Sequence, residues 1–180
     1  MLLFITGCVK NYSNKDINNY IKNTIGISGY QLGDSRKVVD DDEYEDTYWD
    51  VKYKDIKFVV YDDRSWKGEG LSSYLRTTFD DVVINTYYNK YSKKDTLLYT
   101  QDYVYHKNHL TCNVADDNKI VDEVKLKECY DNIYDFISTI NLNDYPLSSV
   151  LVAITNSTSH VRWTYIINNK KILTYNEFKK

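Results

Sequence analysis

The sequence predicts an α+β fold in a single domain, with a mainly antiparallel sheet and about three helices packed on one face. Apolar residues recur with helical spacing in three segments. Between these segments, apolar and polar residues alternate, which is typical of half-buried antiparallel strands. Six glycines and one proline make only 7 of the 180 residues, so most of the chain should lie in regular elements.

The first helix is predicted over residues 15–25. Ser13 or Asn14 can cap its N-terminus, and Gly26 is placed for the left-handed turn that ends many helices. Helical spacing puts its apolar residues on one side, namely Ile17, Tyr20, Ile21, Thr24 and Ile25.

A β-hairpin is predicted next, with strands at 48–53 and 56–61 joined at Lys54-Asp55. Residues 62–70 are expected to form a loop, and Ser72 or Ser73 to open the second helix. The stripe of that helix consists of Leu75, Phe79, Val82, Val83, Thr86, Tyr87 and Tyr91.

The second half repeats this rhythm of strands and helix. Residues 97–105 and 110–114 are predicted to form a strand pair, and a third helix starts near Asp122-Glu123 and stops before Pro146. The almost uninterrupted apolar run in 149–155 predicts a strand that is central in its sheet. Strands at 160–167 and 171–175, joined at Asn168-Asn169, complete a C-terminal meander.

Composition excludes several classes of partner. The 23 Lys and Arg against 26 Asp and Glu leave no basic excess for phosphate neutralisation, so no nucleic acid is expected as a partner. No apolar run reaches the roughly 18 to 20 residues of a membrane-spanning helix.

The 19 tyrosines have two explanations: an A/T-rich genome, or a tyrosine-lined surface that binds sugars or peptides.

The segment Ile5-Thr6-Gly7-Cys8 resembles the lipobox of bacterial lipoproteins. A branched aliphatic residue and two small residues precede a cysteine, whose thiolate can accept a diacylglycerol as a thioether. The resemblance, which extends to small surface lipoproteins of Gram-positive bacteria, implies lipidation at Cys8. It also implies anchoring at the extracytoplasmic face of the cell membrane, since two acyl chains hold a protein at a bilayer without a spanning helix.

The N-terminal boundaries follow from this interpretation. Residues 1–7 are a signal segment, 8–14 a tether, and 15–180 the folded domain. No basic residue precedes Cys8 and only Leu2–Ile5 are strongly apolar, so the recorded start would lie too late or the signal would be clipped. The alternative is that Leu2–Ile5 form an edge strand and that Cys8 is an ordinary small apolar residue.

Three side-chain clusters could bind a ligand. A surface site is predicted before the second helix. The spacing of His106, His109 and Cys112 could begin a zinc site, although the same spacing also fits a solvated turn. The carboxylates of 40–46 could attract Ca²⁺ or form a solvated acidic loop. The predicted surface site consists of Asp62, Asp63, Arg64, Trp66 and Glu69.

Catalytic motifs are missing from the sequence. It has no G-x-S-x-G, H-E-x-x-H, phosphate loop or C-x-x-C pattern, so no catalytic residue, metal or cofactor is expected. If Cys8 is lipidated, Cys112 and Cys129 remain as an even pair, which could be bridged outside the cell or serve as small buried hydrophobes.

Three functions remain after these exclusions. The first is a lipid-anchored extracytoplasmic binding module, with a protein or carbohydrate ligand. The second is a cytoplasmic immunity-type partner, which would occlude a basic target through residues 40–46. The third is an extracellular hydrolase that uses Asp62, Asp63 and Glu69.

Overall fold

The computed structural model of the chain confirms the α+β class. It describes residues 10–39, 45–66, 71–92, 97–102, 107–114, 122–155 and 161–180. The chain divides into two compact units, Met1–Val82 and Val83–Lys180, and each contributes one sheet. The predicted signal segment and the predicted lipidation residue, Cys8, lie outside the described residues.

The first unit opens with helix α1, Asn14–Tyr20, which continues as a π-helical turn, Ile21–Ile25. Ser13 is the N-cap, and Gly26 ends the helical segment with a left-handed backbone at φ 92°. The first predicted helix is thus confirmed. Its apolar stripe is buried through Ile17, Ile21 and Ile25.

Four antiparallel strands follow, which are β1 Gln31–Val39, β2 Glu45–Tyr53, β3 Ile56–Trp66 and β4 Leu71–Thr77. They lie side by side in the order β1-β2-β3-β4. The β2–β3 hairpin is the predicted one, and its turn uses Lys54 with a positive φ of 50°. The inner face of this sheet carries the buried residues Trp49, Val51, Tyr53, Ile56, Phe58 and Val60.

The prediction of a loop was wrong for residues 62–66, and so was the prediction that the second helix opens at Ser72 or Ser73; residues 67–70 lie outside the described residues. Asp62 to Trp66 extend β3, and Leu71–Thr77 form β4, so the second helix does not open at Ser72 or Ser73. Helix α2 spans Phe79–Tyr88 instead. The reason is tertiary: β4 pairs with β3 from Trp66↔Leu71 to Val60↔Thr77, and a backbone ladder outweighs the weak helical preference of this stretch.

The second unit contains a five-stranded sheet, with strands β5 Leu98–Asp102, β6 Lys107–Asn113, β7 Ser149–Thr155, β8 Val161–Asn168 and β9 Lys171–Ile172. They lie in the order β5-β6-β7-β8-β9, which confirms the predicted central position of β7. The last strand is shorter than predicted, because Thr174 and Glu177 form a capping box that starts helix α4, Tyr175–Phe178.

Helix α3, Glu123–Ser138, connects β6 to β7, and these two strands are parallel. Asp122 caps the helix through the backbone amides of Val124 and Lys125. The predicted third helix is thus confirmed, and its buried residues are Leu126, Cys129, Tyr130, Ile133, Phe136 and Ile137.

A disulfide between Cys112 and Cys129 ties α3 to β6, so of the two alternatives for this pair the structure has the bridge. The bond joins residues 17 positions apart. In the chain-entropy picture, closing a loop of this length in the unfolded state stabilises the fold by about 3 kcal/mol. Because the bond joins α3 to Cys112, the helix covers the face of the second sheet to which Cys112 belongs.

The cap of α1 generates a prediction for Asp16. Hydrogen bonds from the Ser13 hydroxyl and backbone amide hold the pKa of Asp16 at about 2, below the usual 3.8. A folded-state pKa below the unfolded one means that this stabilisation is present above pH 3.8 and is lost as the pH falls towards 2.

In Ser13→Ala the largest cause of the shift is removed, so the Asp16 pKa should rise towards 3.8. NMR titration of the side-chain carboxyl carbons measures it. Glu177, whose pKa is held at about 2 by Lys171 and Thr174 in the second unit, is the internal control and should not move. An unchanged Asp16 midpoint in the variant would contradict this cap geometry.

Candidate functional site

The predicted surface site is divided by the alternation of β3. Asp62 and Arg64 lie on the inner face of the four-stranded sheet, whereas Asp63 lies on the outer face beside Tyr74 and Arg76 of β4. Trp66 ends β3, and its side chain and Glu69 lie outside the described residues. The sequence therefore grouped side chains that the strand separates.

Asp62 is the centre of a buried polar network. Its residue is 0% exposed, Ser73 Oγ donates to one carboxylate oxygen, and Arg64 Nε donates to the other at 2.8 Å. Arg64 also donates through its backbone amide to Asp46 and through its guanidinium to Asn11, at 3.1 and 3.4 Å. A carboxylate with this burial and these donors serves structure, since no face of it is open to a substrate.

The described end of the acidic run is also engaged. Asp46 is buried and accepts the Arg64 amide, and Glu45 accepts from Lys37 Nζ at 2.6 Å. Residues 40–44 of the predicted Ca²⁺ loop or solvated loop lie outside the described residues.

The outer face of the first sheet carries a row of two tyrosines flanked by two arginines. Arg36, Tyr48, Tyr61 and Arg76 are direct neighbours across β1 to β4. The Tyr48 and Tyr61 rings stack at 5.3 Å between centroids, and the Arg36 guanidinium lies 4.9 Å from the Tyr48 centroid. Burial raises the pKa of the Tyr61 hydroxyl above 10, while Arg76 opposes that rise. The Tyr48 ring therefore contacts both the Arg36 guanidinium and the Tyr61 ring.

The outer face of the second sheet is different, because its aromatic rings are open to solvent. Trp163 is 46% exposed, Tyr165 is 40% exposed, and Leu98 is 58% exposed. We call this surface, defined by Leu98, His109, Trp163 and Tyr165, the aromatic face. Large apolar side chains grouped on one face are a recognised mark of interaction surfaces.

The Trp163 indole lies across the sheet and is supported by it on one side. Trp163 lies on β8 directly across from Ala153 of β7, yet its ring contacts His109 of β6 edge-to-face at 4.8 Å. The indole must therefore extend across β7, and the small side chain of Ala153, 2% exposed, leaves room for it. One side of the indole is supported by the sheet while the rest faces solvent.

Helices cover the opposite face of this sheet. Cys112 of β6 is bonded to α3, and Thr164 of β8 donates its hydroxyl hydrogen bond to the Phe178 carbonyl of α4 at 2.9 Å. Since side chains alternate along a strand, the neighbours Trp163 and Tyr165 point the other way. The aromatic face is thus the side that α3 and α4 leave uncovered.

The described side chains of the aromatic face and its surroundings include no Lys, Arg, Asp or Glu. Hydroxyl groups stand beside the rings, and Thr100 Oγ1 lies 3.1 Å from Thr111 Oγ1 across β5 and β6. An uncharged surface of rings and hydroxyls suits a neutral ligand. The described residues of the aromatic face and its surroundings are Leu98, Thr100, His109, Thr111, Leu151, Ala153, Trp163 and Tyr165.

The predicted start of a zinc site does not assemble on β6. His109 belongs to the aromatic face, whereas Cys112 lies on the opposite face and its sulfur is in the disulfide. His106 lies outside the described residues. Within the described part of the chain, no group of three or more His, Cys, Asp or Glu could hold a metal ion.

Comparison with protein-family models, curated proteins and solved structures finds no match for this chain. In the described segments, no helix is sufficiently long and apolar to cross a bilayer. Any role for the aromatic face therefore rests on its own geometry and chemistry.

The aromatic face was not predicted from the sequence, although the strand that carries Trp163 and Tyr165 was. The alternation around Trp163 and Tyr165 predicted a strand, but Ile166 makes the other side of β8 apolar as well. Period two alone does not say which of two apolar faces is covered by helices.

Asp62 and Asp63 form a matched pair for testing the placement of β3. Removing one partner of a buried ion pair leaves an uncompensated charge, so Asp62→Ala should lower the free energy of unfolding by about 3 to 5 kcal/mol. Asp63 pairs with the exposed Arg76, so Asp63→Ala should cost about 0 to 1 kcal/mol. Urea unfolding followed by circular dichroism measures both, and equal losses would show that the two carboxylates do not differ in burial.

Proposed function

We propose that the chain is a lipid-anchored extracytoplasmic binding module that takes its ligand on the aromatic face. The observation that carries the binding role is the exposure of Trp163 and Tyr165 on a sheet face opposite α3 and α4. Tryptophan and tyrosine supply large contact areas at a low cost in side-chain entropy, and they dominate binding energies at recognition surfaces.

The disulfide supports the extracytoplasmic location. Disulfides persist in oxidising compartments and are rare in the cytosol, where thiols are kept reduced. The bridge between Cys112 and Cys129 agrees with the lipobox-like segment at Cys8, because both fit a protein that is exported. It disfavours the cytoplasmic immunity-type role.

The hydrolase alternative receives no support from Asp62 and Asp63, the two of its carboxylates that the structure describes. Asp62 is buried in an ion pair, and Asp63 is paired with Arg76 on the other side of the strand. Two carboxylates on opposite faces of one sheet cannot act on the same bond.

The ligand that the aromatic face favours is a neutral carbohydrate. The C–H face of a sugar ring can pack on the supported indole of Trp163, while the hydroxyls of Thr100, Thr111 and Tyr165 offer hydrogen bonds to sugar hydroxyls. A charged partner would find no opposite charge on the described part of this face.

The segment between the proposed anchor and α1 is short and engaged with the first unit. Tyr12 donates its hydroxyl hydrogen bond to the Ser73 carbonyl at 3.1 Å, and the Lys10 ammonium lies 4.7 Å from the Tyr12 centroid. A lipid on Cys8 would be two residues ahead of Lys10, which an extended chain spans in about 7 Å. The anchor would thus hold the β3–β4 side of the first unit close to the bilayer.

Binding can be tested with uncharged oligosaccharides such as cellohexaose and chitohexaose. Calorimetric titration should show saturable binding, and Trp163→Ala should weaken it at least tenfold, or about 1.4 kcal/mol. Tyr74→Ala is the matched control, since Tyr74 is 47% exposed but lies on the first sheet. Circular dichroism checks folding. No binding of any neutral oligosaccharide, or equal binding by Trp163→Ala, would contradict the carbohydrate role of this face.

Lipidation is tested separately in a bacterial host fed with radiolabelled palmitate. The wild-type chain, expressed with the codons that precede it in its gene, should carry label and fractionate with membranes, and Cys8→Ala should do neither. Lys15→Ala, which keeps Cys8 and changes an exposed residue near the N-terminus, is the matched control. If Cys8→Ala stays with the membrane, the anchor does not lie at Cys8.

A further inference from the structure

A cleft of about 590 Å³ lies at the hairpin end of the four-stranded sheet. Its walls come from the start of β1 at Gln31–Gly33, from the β2–β3 hairpin and from Thr78. It opens there because β4 pairs with β3 only as far as Val60↔Thr77, after which the chain turns into α2. At Gly33, a side chain would meet the Asp50 carbonyl oxygen at 3.2 Å, so glycine allows β1 to approach closely.

Two lysines line this cleft. Lys52 and Lys57 are direct cross-strand neighbours, and both are exposed. Like charges directly opposite each other on antiparallel strands repel, so this pair weakens the hairpin that carries it.

Lys52 and Lys57 form no ion pair and no side-chain hydrogen bond with any described residue. Their positive charges are therefore not neutralised within the described part of the chain. Other lysines of the chain do pair, as Lys37 does with Glu45. The carboxylate beside them, Asp50, lies 3.8 Å from the Arg36 guanidinium. The cleft is thus lined by the ammonium groups of Lys52 and Lys57 and by Asp50, whose carboxylate also pairs with Arg36.

We propose that this cleft binds a small multivalent anion, one that carries phosphate or carboxylate groups. An anion between Lys52 and Lys57 would relieve their repulsion, and the Gln31 amide and the Thr78 hydroxyl can donate further hydrogen bonds. This site belongs to the first unit and depends on neither the lipid anchor nor the aromatic face. It adds a second ligand of opposite character to the neutral one proposed above.

The test is an NMR titration of the ¹⁵N-labelled chain with inorganic phosphate and, separately, with citrate at 0.15 M NaCl. Saturable shifts should centre on the amides of the β2–β3 hairpin and of Gly33. Lys52→Gln or Lys57→Gln should weaken binding at least tenfold, whereas Lys22→Gln, which changes an exposed lysine on the π-helical turn, should not. The two arms distinguish a phosphate ligand from a carboxylate ligand.

Lys57→Glu gives a second readout. It replaces a repulsive pair with an attractive one, so the Tm without added anion should rise by a few degrees. The rise in Tm that the anion causes in the wild type should disappear. Shifts that follow ionic strength alone, or a Lys57→Glu chain that the anion still stabilises, would overturn the proposal.

Discussion

The disulfide between Cys112 and Cys129 is the constraint on which the second unit depends. It joins β6 covalently to α3, so the helix packs on the face of the sheet to which Cys112 belongs. Tyr130 of the same helix reinforces this arrangement by donating its hydroxyl hydrogen bond to the Leu173 carbonyl at 2.9 Å. Because side chains alternate along each strand, covering one face determines which residues remain on the other. Trp163 and Tyr165 are exposed for this reason.

The same alternation decides the chemistry of the first unit. Adjacent carboxylates receive opposite roles: Asp62 is buried beside Arg64 and Ser73, while Asp63 pairs with Arg76 at the surface. The polar network around Asp62 also reaches the N-terminal segment through Asn11. Asp62, which looks catalytic in the sequence, is therefore better understood as the buried polar centre of a sheet.

Local signals predicted the elements that local physics controls. The β2–β3 hairpin, α1 and α3 were predicted because their spacing, caps and turn residues agree with one another, as at Ser13, Gly26 and Lys54. Strand β4 was missed because Leu75 and Phe79 imitate a helical stripe, and only pairing with β3 makes Leu71–Thr77 a strand. The parallel β6–β7 pair and the open side of β8 were not predictable either, since both depend on contacts between segments far apart in the sequence.

Non-reducing peptide mapping of the protein from its native host tests the central claim most directly. After free thiols are blocked and the chain is digested with trypsin, mass spectrometry should find the peptide that contains Cys112 linked to the peptide that contains Cys129. Reduction should release both. If both cysteines carry the thiol-blocking label before reduction, the covalent tie between β6 and α3 does not exist in the cell, and the case for an oxidising compartment is lost with it.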